Sequence, residues 1–303
     1  MKIIVTGGAG FIGSHVVDAY VKAGHKVVVV DNLTTGSRKN LNPKAKFYKT
    51  DIRDAKKIDA IFKKEKPDAV NHHAAIAEVV KSLRDPLPTL DVNVTGTVNL
   101  LLAGGRYRIK KFIFSSTGGA MYGSPKKIPV SESVEPFPLS PYGLSKLLGE
   151  LTITFYAQMY GFDYFIFRYA NVYGPRQNPN GEAGVVAIFG KLTKAGKQPI
   201  IYGDGSKTRD YVYVEDIARA NLLALKKGHG QTVNIGWGKE ISDKKIFETI
   251  ARGASYRDKP RYAPYRKGEL YRSALTNAKA KKILGWKPKV KLEEGIKRTL
   301  ATL

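Results

Sequence analysis

The chain of 303 residues contains no cysteine, which excludes disulfides, thiolate metal ligands and cysteine nucleophiles. It also lacks any apolar run of the roughly 18 residues that a transmembrane helix needs, so no membrane partner is expected. The opening Met1-Lys2-Ile3-Ile4-Val5-Thr6-Gly7 reaches glycine too early for a secretory leader, and the expected setting is cytoplasmic. Acidic residues are scarce: 26 Asp and Glu stand against 51 Lys and Arg, a formal charge of +25. Such an excess suits a nucleic-acid binder or a site for a doubly charged phosphate ligand. The lysines, however, are scattered, as in Lys56-Lys57, Lys63-Lys64, Lys126-Lys127 and Lys244-Lys245, with no single stripe of interleaved aromatics. That pattern reads as a solvated surface, and no specific nucleic-acid partner is expected.

What is present begins with the stretch KIIVTGGAGFIGSH. An apolar strand, Ile3 to Thr6, runs into glycines at 7, 10 and 13 and then into a helix with Ile12, Val16, Val17 and Tyr20 on its apolar face. In such a unit Gly7 makes the tight turn, Gly10 admits a pyrophosphate to the backbone, and Gly13 lets helix and strand pack closely. The helix N-terminus offers free N–H groups to the phosphates. A second strand, Lys26 to Val30, stops at Asp31, whose carboxylate suits ribose hydroxyls and repels a 2′-phosphate. NAD is thus favoured over NADP. Further strands are expected at Ala45–Tyr48, Ala69–His73 and Lys111–Ser115, with Asp51 placed to meet an adenine amino group. Strands alternating with helices imply a doubly wound, Rossmann-type α/β fold with a parallel sheet. His72 and His73 are adjacent on a strand and point to opposite faces, and no ligand stands at metal spacing, so no metal is expected.

Near the middle, Ser140 and Pro141 announce a helix start. Tyr142 and Lys146 follow four apart on one helical face, a phenol and an amine able to share one proton. The strand FIFSST ends in Ser115, Ser116 and Thr117, hydroxyls at the rim that faces a ligand in a parallel sheet. The combination carries the chemistry, since Tyr-x-x-x-Lys alone recurs by chance.

With these residues in view, the sequence resembles the extended short-chain dehydrogenase/reductase family, and within it nucleotide-sugar epimerases of the UDP-glucose 4-epimerase type. The matching segments include TGGAGFIGSH, HHAA, NVTGTVNLL, FSSTGGAMYG, SPYGLSK, RYANVYGPRQ and YGDGSKTRDYVYVEDIARA, in order over nearly the whole chain. The resemblance implies NAD held along Gly7, Gly10, Phe11, Ile12, Gly13, Asp31, Asn32, Asp51, Ile52, His73, Ala74, Ala75, Asn93, Ser115, Tyr142, Lys146 and Tyr169. It implies Tyr142 as the base, assisted by Lys146, with Thr117 or Ser116 as the hydroxyl that passes the proton. A phenol active near neutrality needs a downward shift of about three units, or about 4 kcal/mol. An ammonium about 4 Å away supplies about that much at an effective dielectric of about 20.

The same resemblance implies a UDP-hexose bound by Thr117, Tyr142, Asn171, Val185, Val186, Tyr202, Arg209, Arg266 and Glu269, and a small residue, Ser273, that admits 2-acetamido sugars. The two arginines would grip the diphosphate. The expected division is a cofactor domain over 1–170, with a segment returning over about 209–236, and a substrate domain over 171–208 and 237–303. The expected reaction is inversion at C4 through a transient 4-ketose. A UDP-glucuronate epimerase and a 4,6-dehydratase are the family alternatives; the latter needs a carboxylate where Gly118, Gly119 and Ala120 stand. From another class, a non-catalytic Rossmann protein binding polyanions would leave Thr117, Tyr142 and Lys146 without a purpose. A homodimer is expected through the helices after Asn93 and Tyr142, on Leu100, Leu101, Leu147, Leu148 and Phe155.

Overall fold

The structure, a computed structural model, describes residues 1–181, 184–266 and 270–303. Its first half alternates strand and helix: β1 (Lys2–Thr6), α1 (Phe11–Lys22), β2 (Lys26–Asp31), β3 (Lys46–Lys49), α2 (Ala55–Glu65) and β4 (Ala69–His72). Short helices α3 (Val79–Arg84) and α4 (Pro86–Leu90) lead to α5 (Gly96–Arg106), β5 (Lys111–Thr117), α6 (Pro141–Tyr160) and β6 (Asp163–Tyr169). Then come β7 (Asn171–Tyr173), α7 (Val185–Lys194), β8 (Ile200–Tyr202), β9 (Thr208–Arg209), β10 (Tyr211–Tyr213), α8 (Val214–Ala224) and β11 (Gln231–Ile235). The chain ends through β12 (Ile241–Ser242), α9 (Asp243–Gly253), β13 (Arg261–Ala263), α10 (Ala278–Leu284) and α11 (Leu292–Leu300).

Seven strands form one sheet in the order β11-β6-β5-β4-β1-β2-β3, every pair parallel. This is the doubly wound Rossmann-type fold that the sequence predicts. Alternation along each strand divides its apolar residues between two faces. Ile3, Val5, Val27, Val29, Phe165 and Phe167 pack with Val16, Val17 and Tyr20 of α1 and Ile217 and Ala220 of α8. Ile4, Val28, Val30, Val70, Phe112 and Phe114 pack on the other face, with residues of α2, α5 and α6. Each such buried side chain contributes about 1.5–3 kcal/mol of transfer free energy. A third cluster of Tyr173, Phe189, Ile201, Tyr211, Ile246, Ile250, Ile296 and Leu300 lies apart from the sheet and joins α7, α9 and α11.

The strand order reverses at β1, which pairs with β2 on one side and β4 on the other. A crevice opens there, beyond the strand C-termini. Helix α6 starts where the sequence places it: the Ser140 hydroxyl accepts from Gly143 N at 3.1 Å, with Pro141 as first residue. It stops at Gly161, whose φ of 73° is left-handed.

One expectation is corrected here. Leu100 and Leu101 are fully buried, because α5 packs against α2 on that side. The exposed apolar residues are Leu102 on α5 and Leu144, Leu151, Phe155 and Met159 on α6. Among the described residues no helix is long and apolar enough to cross a membrane.

Candidate active site

Gly7 carries the turn after β1 at φ +68°, and its N–H donates to Val30 O at 2.9 Å. A Cβ at Gly7 would stand 2.6 Å from Ala74 N, so two backbones meet there with no room for a side chain. A Cβ at Gly13 would collide with the Gly7 carbonyl. The start of α1 is thus pressed against the end of β1, with its first N–H groups facing the crevice. At the end of β2, Asp31 is buried and accepts from Ala9 N at 3.1 Å and Leu33 N at 2.8 Å. Asp51 accepts from Arg53 and Asn32, and the Arg53 guanidinium holds its carboxyl down at about 2.

These residues line one cleft of about 770 Å³, together with Gly10, Phe11, Ile12, Asn32, Ile52, His73, Ala74, Ala75, Ser115 and Tyr169. His72 and His73 do point apart. His72 is clasped in the core between the hydroxyls of Thr6, at 2.7 Å, and Thr97, at 2.9 Å. His73 lines the cleft, its ring 6.3 Å from that of Tyr169 and nearly parallel to it. Both of its ring nitrogens are buried without a partner, and burial pulls the imidazole down to about 3, so it is neutral. A glycine cradle too tight for any Cβ and a buried ring with unpaired nitrogens fit a dinucleotide. Asn93 is set back from the cleft, its amide tied to both backbone groups of Ile76 and to the Ser145 hydroxyl.

At the rim of the sheet, the end of β5 meets the start of α6. The Thr117 hydroxyl lies within hydrogen-bonding reach of the Tyr142 phenol. Ser116 points the other way, donating to Glu150 Oε1 at 2.5 Å. Of the two hydroxyls left open by the sequence, only that of Thr117 meets the phenol. Lys146 is buried; its amine donates to Ser115 O at 2.7 Å and lies 4.8 Å above the Phe114 ring. Burial opposes the lowering of the phenol that the sequence leads one to expect. Burial pushes Tyr142 up to about 12, opposed by Thr117, and pulls Lys146 down to about 7, opposed by Glu150. Desolvation acts on both groups at once, a cost that the ammonium–phenolate attraction alone leaves out.

The opposite wall is formed by Asn171, Val185, Val186, Arg209 and Arg266, all lining the same cleft, as do Gln177 and Tyr211, which the sequence reading missed. Tyr211 was legible in principle, since it directly follows the Arg209-Asp210 pair. Tyr202 does not line the cleft; the Arg266 guanidinium stacks on its ring at 3.5 Å. Ser273 is buried and is not part of the lining, and Glu269 lies outside the described residues.

A Rossmann crevice with a glycine cradle, an acid closing β2 and a Tyr–Lys pair at the rim defines a dinucleotide-dependent enzyme. The model of the NAD dependent epimerase/dehydratase family matches residues 3–236, and the chain belongs to that family. A UDP-glucose 4-epimerase of Mycolicibacterium smegmatis is 42% identical over 306 residues, covering 99% of this chain and 97% of that protein. The crystal structure of a UDP-glucose 4-epimerase from Thermotoga maritima with UDP-glucose has a TM-score of 0.98 at 48% identity, covering 100% of this chain and 98% of that one. A Thermus thermophilus UDP-glucose 4-epimerase in complex with NAD has a TM-score of 0.95 at 42% identity, covering 100% and 98%.

Proposed function

We propose that the protein is an NAD-dependent isomerase that inverts C4 of a UDP-hexose, interconverting UDP-glucose and UDP-galactose. One observation carries the reading: Thr117, Tyr142 and Lys146 stand between a dinucleotide cradle and a wall bearing two arginines, in a single cleft. NAD, held along Gly7, Gly10, Gly13 and Asp31, would supply the hydride acceptor for C4. Tyr142 takes the proton of the sugar 4-hydroxyl, with Thr117 holding that oxygen against the phenol. Lys146 offsets the charge left on the phenolate oxygen. Arg209 and Arg266 present planar guanidinium forks to the diphosphate. They retain the 4-ketose by its nucleotide while the sugar turns over, and Tyr142 then gives the proton back. The glycines at 118 and 119 and Ala120 supply no acid for removing the C5 proton, which favours epimerisation over dehydration.

The same reading places the cofactor site in residues 1–170 with the return over about 209–236, and the sugar-nucleotide site in the remainder. The assembly we propose is a homodimer. Leu151, Phe155 and Met159 form a stripe at helical spacing on α6, each about 60% exposed, with Leu102 exposed on the neighbouring α5.

The test is incubation of purified protein with UDP-glucose, UDP-GlcNAc and UDP-glucuronate, without added cofactor. UDP-galactose is the expected product of the first. The UDP-GlcNAc arm tests whether 2-acetamido sugars are accepted. A 4-keto-6-deoxy product, or no 4-epimer from any of the three, overturns the proposal.

A further inference from the structure

Three consecutive residues of β5 face three residues of α6 spaced one turn apart. The Thr117 hydroxyl meets Tyr142, the Ser115 carbonyl accepts from the Lys146 amine at 2.7 Å, and the Ser116 hydroxyl donates to Glu150 at 2.5 Å. The first two belong to the reaction proposed above, on which this inference rests. The third has no part in it, although Glu150 follows Lys146 by four residues on one helical face.

Glu150 is buried and takes part in a wider network. Arg168 of β6, paired in register with Ser116, donates to Glu150 through Nε at 2.9 Å and Nη2 at 2.6 Å. Arg168 Nη1 donates to Tyr122 Oη at 2.9 Å, and that phenol donates to Asn234 at 2.8 Å. A carboxylate needed only to hold a helix on a sheet does not have to stand one turn from a buried amine. We propose that Glu150 is a positioning residue. Its carboxylate fixes the register of α6 against the end of β5 and supplies the negative charge that keeps the Lys146 amine protonated.

Among the described residues the surroundings of the lysine supply no other anion. From β4 it faces His72 and His73, both neutral through burial; from β5 it faces Phe114 and the Ser115 carbonyl; on its own helix stand Tyr142 and Glu150. Arg168 faces Glu150, and Tyr122 faces Arg168. Burial already brings the lysine to about 7 with Glu150 opposing it. Without that carboxylate burial acts unopposed, and the amine gives up its proton more readily.

The test compares full-length wild type, E150Q, E150D, R168M and the double variant E150Q/R168M. The readouts are the pH dependence of kcat, the thermal unfolding midpoint and retained NAD. For E150Q, kcat near pH 7 should fall about ten-fold or more, with the acid limb displaced upward by about one unit or more. E150D should keep the wild-type limb. R168M should melt earlier, since it strands the buried carboxylate. If E150Q alone does not fold, the double variant removes the pair without stranding a buried charge, and its limb must also move up. A folded E150Q or double variant whose limb superimposes on wild type overturns the inference. Failure of the wild type to epimerise any UDP-hexose instead sinks the proposed function and is read separately.

Discussion

Asp210 offers a quantitative check on the physical reading. It lies between Arg209 and Tyr211, both on the cleft wall, and is 1% exposed. Its carboxylate accepts three backbone N–H groups, from Trp237 at 2.8 Å, Gly238 at 3.0 Å and Leu275 at 3.2 Å. It thereby ties β10 to the turn after β11 and to the segment behind the cleft. Burial outweighs the three donors and raises the carboxyl from 3.8 to about 6. The folded state therefore binds this proton more tightly than the unfolded chain does. Its contribution favours folding below the unfolded value and is lost as pH rises through the folded one. At about 1.36 kcal/mol per unit, the whole window is worth about 3 kcal/mol. Between about pH 4.5 and pH 7.5 the linkage relation leaves about 2 kcal/mol.

Asp210→Asn removes the titration at nearly constant shape. The fixed cost of placing an amide against three donors cancels when its destabilisation is compared at the two pH values. Urea unfolding of both proteins should show the variant more destabilised, relative to wild type, at about pH 4.5 than at about pH 7.5, by about 2 kcal/mol. A difference that stays within about 0.5 kcal/mol, or that changes sign, refutes the claim that burial dominates at this carboxylate.

Tyr142→Phe should lower kcat by about 10²–10⁴ while leaving the fold intact, because only the proton-carrying oxygen is removed; turnover at the wild-type rate would falsify the proton assignment. Phe155→Glu puts a charge into the centre of the exposed α6 stripe. Light scattering at micromolar concentration should show a dimer for wild type and a monomer for the variant, and a monomeric wild type contradicts the assembly.

The fold was legible because its signals are local. The strands β1 and β2 are short apolar runs, and the capped start of α6 is written in Ser140-Pro141. The cleft residues around Gly7, Asp31 and Tyr142 follow from motif spacing. Other features depend on partners distant in the chain. Glu150 and Arg168 are separated by 18 positions and become neighbours only when α6 packs on β6. Nothing local says that Asn93 will spend its amide on Ile76, or that Leu100 and Leu101 will face α2 rather than another subunit. The direction in which Ser116 points follows from strand alternation, once β5 is known to extend through Thr117. Attraction of the Tyr142 phenolate by an ammonium can be read from a sequence, whereas the depth at which both groups are buried cannot.

The late arrival of β11 has a consequence for how the protein is made. That strand lies beside β6 in the sheet, yet the ribosome delivers it only after the whole of β7 to α8 has emerged. Until then the growing chain presents β6 as a bare margin, with a row of unclaimed amides and carbonyls and with Phe165 and Phe167 only partly covered. A fragment cut near residue 170 would keep that margin permanently and should stick to its own copies. The nascent polypeptide is thus safest when its synthesis is not interrupted midway.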